Sequence, residues 1–226
     1  MKYLEYTPLA RLNAFLSHVN LGECVLRGVL EAYSCKVAGV DKKLSRSLEL
    51  EVLDYLSESP ANHSSSPVGP LCSSTSRRTL IHLILTLNHM YPDYDFRSMI
   101  RSHHFSKEGG VNTVKQKIEN YLLEAGKVWA VENGDDISLL DSIWKAIDEV
   151  IDLADCEMYS YMPEVEGDPF FERGMIWFFN FFFYNKKLKR ILCFSCRCLS
   201  KLAMDDSFAD ELMSDEEAIF WGMDME

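Results

Sequence analysis

Aspartates are the residues of this 226-residue chain that could do chemistry as a group. Six of them stand out: Asp93, Asp95, Asp148, Asp152, Asp155 and Asp168. Spacings of four and three residues would place Asp148, Asp152 and Asp155 on one face of a helix. Carboxylates that converge can hold a divalent cation or act as general acid and base. Spread over a surface, they would instead form a solvated acidic face or bind a basic partner. We predict this partner-binding role for all six.

Other catalytic and metal-binding patterns are missing from the sequence. It contains no phosphate-binding glycine loop, no G-x-S-x-G and no H-E-x-x-H. Cys193 and Cys196 form a C-x-x-C, but they lie in a run that resembles a strand, where residues three apart point to opposite faces. We therefore predict packed cysteines, no cofactor and no enzyme activity. The alternative is a small metal-dependent hydrolase that uses Asp148, Asp152, Asp155 and Asp168.

Four serines lie in short patterns that protein kinases recognise: Ser45, Ser59, Ser66 and Ser214. Lys42 and Lys43 precede the first, prolines follow the second and third, and three acidic residues follow the fourth. A phosphate adds roughly −1.5 to −2 charges at neutral pH. We predict phosphorylation at these serines, with Ser45 as a switch.

The charge is unevenly distributed. Of the 35 acidic residues, nine lie in 204–226, which contains no Lys or Arg; the rest of the chain has 26 acidic residues against 23 basic ones. This balance lacks the positive surface that nucleic-acid binding needs, so we predict no direct nucleic-acid contact. The tail would suit a basic partner, or it would be a solvated, partly disordered terminus that aids solubility. A basic run, Lys186, Lys187, Lys189 and Arg190, is a weak candidate for a nuclear import signal.

The apolar and cysteine content of the sequence indicates where in the cell the protein is located. The longest apolar stretch, 175–183, contains Asn180 and is far shorter than the roughly 20 residues of a membrane helix. Seven cysteines without an export signal favour reduced thiols. We expect a protein of the cytoplasm and nucleus with no membrane contact.

Hydrophobic spacing predicts the elements that must position these residues. Helical periodicity favours helices over 8–19, 41–56, 80–91, 111–126 and 140–154. Alternating or β-branched runs favour strands over 24–37, 156–162, 175–184 and 188–198. Thr7 and Ser138 resemble helix caps, Gly126 a helix end, and Gly28 a bulge. A turn at Asn185–Lys186 should join the last two strands as a hairpin.

The fold follows from that hairpin, which is apolar on both faces and must be covered on both. We predict an α+β fold with a central antiparallel or mixed β-sheet and helices packed on both faces. Residues 57–76 are rich in Ser and Pro and resemble a mobile linker between an N-terminal part, 1–56, and a C-terminal part, 77–203. We expect the two parts to form one globular unit, followed by the acidic tail 204–226, because 1–56 alone would make a poor core.

Several longer segments resemble one family. They are EAYSCKVAG (31–39), PDYDF (92–96), RSHHFS (101–106), WKAIDE (144–149), CEMYSY (156–161), DPF (168–170) and FFFYNKKLKRILCFSCR (181–197). In this order they resemble the Maf-one-type repressors of RNA polymerase III, and they span most of 24–42 and 77–200. The last segment is long and specific.

The resemblance implies a non-catalytic protein that binds RNA polymerase III near its clamp and winged-helix subunits. There it would hinder recruitment to promoters marked by the initiation factor TFIIIB. It also implies control by kinases and phosphatases under nutrient and stress signals, with the dephosphorylated form entering the nucleus and repressing. The family's fold, a sheet with helices on both sides, agrees with the periodicity.

Overall fold

The computed structural model describes residues 1–58, 66–96, 102–134, 136–163, 170 and 173–203. Its helices are α1 (Thr7–Leu16), α2 (Gly39–Glu58), α3 (Ser74–Met90), α4 (Val111–Asn133) and α5 (Leu139–Ile151). Its strands are β1 (Lys2–Leu4), β2 (Val19–Asn20), β3 (Cys24–Ser34), β4 (Phe105–Lys107), β5 (Cys156–Tyr161), β6 (Met175–Asn185) and β7 (Arg190–Ser200). Within these ranges no helix is long and apolar enough to cross a membrane.

All seven strands form one antiparallel sheet in the order β1-β3-β7-β6-β5-β4, with β2 also paired to β3. The predicted hairpin is present as β6 and β7, joined through a turn at 186–189. The longest pairing outside it joins β3 to β7, from Cys24 opposite Ser200 to Ser34 opposite Arg190. A strand of the N-terminal part therefore lies inside the sheet.

Helices cover both faces of the sheet, as predicted from its apolar character. α1, α4 and α5 pack on one face, where they bury Phe179, Phe181 and Phe183 of β6. α2 and α3 pack on the other face, together with Phe182 and Tyr184 of the same strand. Alternation along β6 thus supplies two cores from one strand. The α+β fold class is confirmed.

The cysteines of the hairpin behave as packed side chains. Cys196 belongs to the core beneath α1, whereas Cys193 belongs to the core beneath α3. Their thiols therefore point to opposite faces, and burial raises the pKa of both well above that of a free thiol. Such thiols stay protonated at neutral pH, which suits packing and disfavours metal binding.

Three local predictions were wrong. Thr7 is the first residue of α1 rather than its cap, a position that Tyr6 occupies. α4 runs through Gly126 and ends before Gly134, which has the positive φ of 87° that favours glycine after a helix. The pairing of β3 with β7 is unbroken at Gly28, so there is no bulge. A Cβ at Gly28 would lie 3.4 Å from Leu16, so this glycine lets α1 approach the sheet.

The segment predicted as a linker, 57–76, is partly regular. Its first two residues end α2, and Ser74 already begins α3. Between them, Val68 and Leu71 are buried in the core beneath α3. Arg77 binds this turn to α3 through hydrogen bonds to the Leu71 and Cys72 carbonyls. The ordered elements therefore extend into the predicted linker from both sides; residues 59–65 lie outside the described part.

Candidate functional site

The three aspartates predicted on one helical face lie instead around the end of α5. The helix ends at Ile151, and Asp152 takes a left-handed conformation with φ of 55°. Ser138 caps the other end as predicted, since its hydroxyl accepts a hydrogen bond from the Asp141 N–H. Asp148 closes the C-terminal turn, because its carboxylate accepts a hydrogen bond of 2.9 Å from the Leu153 N–H. Asp152 and Asp155 therefore lie outside the helix, contrary to the prediction.

The four residues of the predicted import signal lie beside them, three in the turn between β6 and β7 and Arg190 at the start of β7. Lys187 pairs with Asp155 at 2.7 Å, and Lys186 pairs with Glu157 at 2.6 Å. Arg190 donates a hydrogen bond of 2.8 Å to the carbonyl of Val150 in α5. Lys189 has φ of 53°, and its carbonyl accepts a hydrogen bond from the Cys35 N–H. The last two residues thus have structural roles.

These residues form one mixed-charge group, which we call the hairpin-end cluster: Asp148, Asp152, Asp155, Glu157, Lys186, Lys187, Lys189 and Arg190. Its members come from the end of α5, the turn that follows it, β5, the β6–β7 turn and the start of β7, which meet because Cys156 lies opposite Asn185 in the sheet. Glu157 was missed in the sequence. The register of β5 against β6 would have identified Glu157, because it places this residue opposite Tyr184 and near Lys186 and Lys187, which follow β6.

The electrostatics of the cluster reflect mutual neutralisation. Burial alone would raise the pKa of Glu157, but hydrogen bonds from Lys186 and Tyr159 lower it below its usual value. The carboxylate of Asp155 raises the pKa of Lys187. Burial, then the charges of Asp152, Asp148 and Asp155, raises the pKa of Cys156 to about 12. The cluster is therefore neither a purely acidic patch nor an isolated basic run.

The remaining predicted aspartates are elsewhere. Asp93 and Asp95 are exposed and follow α3, which covers the opposite face of the sheet from α5. Asp168 lies outside the described residues. The structure thus brings three of the six aspartates together.

Convergent metal chemistry has no geometric support in the part of the chain that the structure describes. No group of three or more His, Cys, Asp or Glu side chains that could hold a metal ion occurs there. Asp148 and Asp155 are already engaged with a backbone amide and with Lys187. The hydrolase alternative therefore gains nothing from the positions of its carboxylates.

Ser45 lies on α2, on the side that faces α3. The two helices are antiparallel, because Asp41 pairs with His89 at 3.1 Å and Glu49 lies 3.8 Å from Arg77. Ser45 falls between these two contacts and is half-buried, whereas Lys42, Lys43 and Ser47 are exposed.

The other predicted phosphorylation sites differ in setting. Ser66 begins the turn that leads to α3, and its hydroxyl accepts a hydrogen bond from the Val68 N–H. Ser59 and Ser214 lie outside the described residues.

Comparisons with known proteins agree with the fold and with the segments noted in the sequence. A family model described as Maf1 regulator matches residues 26–195. A "Repressor of RNA polymerase III transcription" from Dictyostelium discoideum is 35% identical over 97% of this chain and 93% of its own length. The corresponding Schizosaccharomyces pombe repressor is 35% identical over 97% of this chain and 91% of its own length.

A crystal structure of citrus MAF1 has the same fold. It is 52% identical, with a TM-score of 0.72, and the match covers 86% of this chain and all of the crystallised one. The family model, the two relatives and this structure lead to one conclusion: the chain belongs to the Maf1 regulator family.

Proposed function

We propose that this chain represses transcription by RNA polymerase III through binding the polymerase near its clamp and winged-helix subunits. Bound there, it hinders recruitment to promoters marked by TFIIIB. The observation that carries the proposal is the match to the Maf1 regulator family over 26–195, with relatives named as repressors of this polymerase. A binding role also suits a described structure whose carboxylates do not converge on a metal site.

The test is recovery of the tagged chain from cell extract, with identification of the proteins that accompany it. Subunits of RNA polymerase III should be enriched over a mock purification, and adding the purified chain should lower transcription from a transfer-RNA gene in a reconstituted system. Transcription that is unchanged at saturating protein would refute the repressor role. Purified protein that binds a divalent metal and hydrolyses a substrate would favour the hydrolase.

Partner binding by the predicted aspartates rests on complementary charge. The hairpin-end cluster contains Asp152 and Asp155, and the exposed Asp93 and Asp95 lie on the other side of the sheet. Charge of this kind speeds association and loses its effect as salt is added. Because Lys187 already pairs with Asp155, the two-residue change Asp152→Asn and Asp155→Asn should lower polymerase binding only modestly and flatten its salt dependence. An unchanged salt titration would remove these residues from the interface.

Ser45 is the proposed switch, and its position supplies a mechanism. A kinase needs the serine accessible, so α2 must first leave α3. That step exposes Leu48 and Val52, which are fully buried, at roughly 1.5–3 kcal/mol each. Once added, a doubly charged phosphate on the half-buried side opposes re-docking of the helix. Phosphorylation would therefore hold α2 away from α3 and relieve repression.

Three variants at equal expression test the switch through transfer-RNA precursor abundance. Ser45→Ala should repress at least as well as wild type in rich medium, and Ser45→Glu should repress less. Ser47→Glu is the matched control, since it adds the same charge two residues away on the exposed side of the same helix. Equal precursor levels for wild type, Ser45→Ala and Ser45→Glu in rich and starved cells would exclude Ser45 as the switch.

Shuttling between nucleus and cytoplasm, set by kinases and phosphatases, completes the proposal. Of the basic run, Lys186 and Lys187 have exposed, ion-paired amino groups that an import receptor could reach. Replacing both by Ala should reduce nuclear accumulation in starved cells if the run is an import signal. Unchanged nuclear accumulation would refute that role while leaving polymerase binding untouched.

A further inference from the structure

A groove of about 370 Å³ lies between α1, α5 and the end of α4. Pro8, Trp129 and Ile137 supply apolar lining. The Trp129 ring is only 4% exposed, and its indole N–H donates to the Ile137 carbonyl at 2.9 Å, so it forms a fixed floor beneath the groove. Ile137 is 47% exposed, so part of its aliphatic side chain is open to a ligand. The groove therefore suits aromatic or aliphatic side chains of a ligand.

The rim of the groove is cationic on a chain with net charge −12. Arg11 of α1 and Lys145 of α5 line it, and both side chains are exposed. Glu149 is the acidic group among the lining residues, so the lining has one positive charge in excess. A ligand that fits both properties is a peptide with acidic residues next to apolar aromatic ones.

The chain contains such a peptide in its C-terminal segment. Residues 215–217 are Asp-Glu-Glu, and Ile219, Phe220 and Trp221 follow almost immediately. The acidic residues of this segment match the two cations of the groove, and its apolar residues match the apolar lining. The segment lies outside the described residues.

The point where the described chain ends puts this segment within reach of the groove. Lys201 is held beside the start of β3 by a hydrogen bond from its N–H to the Glu23 carbonyl, and its amino group binds Asn20 at 2.8 Å. Asn20 follows the C-terminal end of α1, so the groove lies about one helix length, roughly 15 Å, away. Residues 204–214 can span about 36 Å when extended.

We propose that the segment 215–223 binds intramolecularly in the groove between α1 and α5. Ile219, Phe220 and Trp221 contact its apolar lining, and the three preceding acidic residues face Arg11 and Lys145. A short covalent connection gives an effective concentration on the order of 1 mM, so an intrinsic affinity of about 1 mM already fills half of the grooves. The proposal is independent of polymerase binding, because it concerns a contact within one chain.

Photo-crosslinking in the full chain tests the contact. With p-benzoyl-phenylalanine in place of Phe220, irradiation should link this position to peptides that contain Pro8–Leu12, Ile137 or Lys145. The two-residue change Arg11→Glu and Lys145→Glu should lower this yield at least threefold. Adding Glu216→Lys and Glu217→Lys to that variant should restore it. Lys36→Glu is the matched control, since it reverses an exposed lysine outside the groove and should leave the yield unchanged.

Three results would overturn the proposal. The first is crosslinking mainly to another surface of the chain, or none. The second is crosslinking between molecules, detected by mixing isotope-labelled and unlabelled protein. The third is a groove crosslink whose yield is insensitive to charge reversal in variants that keep the wild-type thermal unfolding midpoint. Ile137→Asp is a second probe, because it places a like charge among the apolar lining at an exposed position and should also reduce the yield.

Discussion

Acidification should destabilise this protein through one buried imidazole. His82 of α3 is 7% exposed, and its Nδ1 lies 2.9 Å from the hydroxyl of Tyr184 in β6. Burial, then the charges of Arg78 and the N-terminal ammonium, lowers the pKa of His82 from 6.5 to about 4. The unfolded chain therefore takes up a proton at this residue near pH 6.5, and the folded chain only near pH 4. Stability from the neutral ring is present above pH 6.5 and is lost as the pH falls through this window.

The size of the loss follows from the two pKa values of His82. Between pH 7.5 and 5.5 the free energy of unfolding should fall by about 1.3 kcal/mol through this residue, and by pH 4 by about 3 kcal/mol. These values are large against the 5–15 kcal/mol that typically stabilise a domain.

Urea unfolding of wild type and His82→Gln at pH 7.5 and 5.5 isolates this contribution. Glutamine keeps a polar group near Tyr184 but does not titrate, so the wild type should lose about 1.3 kcal/mol more than the variant on acidification. Every other titrating group contributes equally to the loss of unfolding free energy in both proteins, so its contribution cancels in this difference. Equal losses in the two proteins, or an NMR titration that places the His82 pKa near 6.5, would refute the reasoning.

Three further variants test packing and charge. Gly28→Val should lower the free energy of unfolding by about 1–3 kcal/mol, because a Cβ at this position would already lie 3.2 Å from the Cys196 sulfur. Gly22→Ser is the control for the loss of a glycine, since no atom would crowd the new Cβ there. The control adds the strain of a positive φ. Asp155→Asn should leave the urea midpoint unchanged, because the Lys187 side chain of the ion pair is largely exposed; a clear drop would show a stronger ion pair than we infer. Asn180→Leu should raise the free energy of unfolding by about 1 kcal/mol, since both polar side-chain atoms of Asn180 are buried without a hydrogen-bond partner in the described structure; a decrease would point to a bound water that satisfies them.

The architecture was predictable because the hydrophobic periodicity of each strand is visible in the sequence itself. In β6, alternate residues feed two different cores, and a strand that is apolar on both sides requires cover on both. The ends of the helices were harder to predict from the sequence. Gly126 resembles a helix end by residue type, yet α4 continues through it because Trp129 in the following turn is buried in the core. Tertiary burial there outweighs the local cost of glycine in a helix.

The candidate site was less predictable than the fold. The spacing of Asp148, Asp152 and Asp155 suggests one helical face, but a left-handed residue at Asp152 ends the helix between them. The ion pairs of Lys186 and Lys187 depend on the register that brings β5 beside β6. Register is a property of paired strands, so a pattern within one segment could not assign these partners. Ser45 illustrates the same point, since its half-buried state depends on α3.

The pairing of β3 with β7 has a consequence for biosynthesis. These strands contact along their whole length, although at least 156 positions separate partners such as Ser34 and Arg190. A ribosome must therefore release almost all of the described chain before β3 gains its main neighbour. Until then, Leu26, Leu30 and Tyr33, which are buried in the finished protein, lack the strand that pairs with their backbone. Contacts so distant in sequence fold slowly and leave apolar surface open to aggregation. Nascent chains that stop before residue 190 should accordingly depend on chaperones or be degraded.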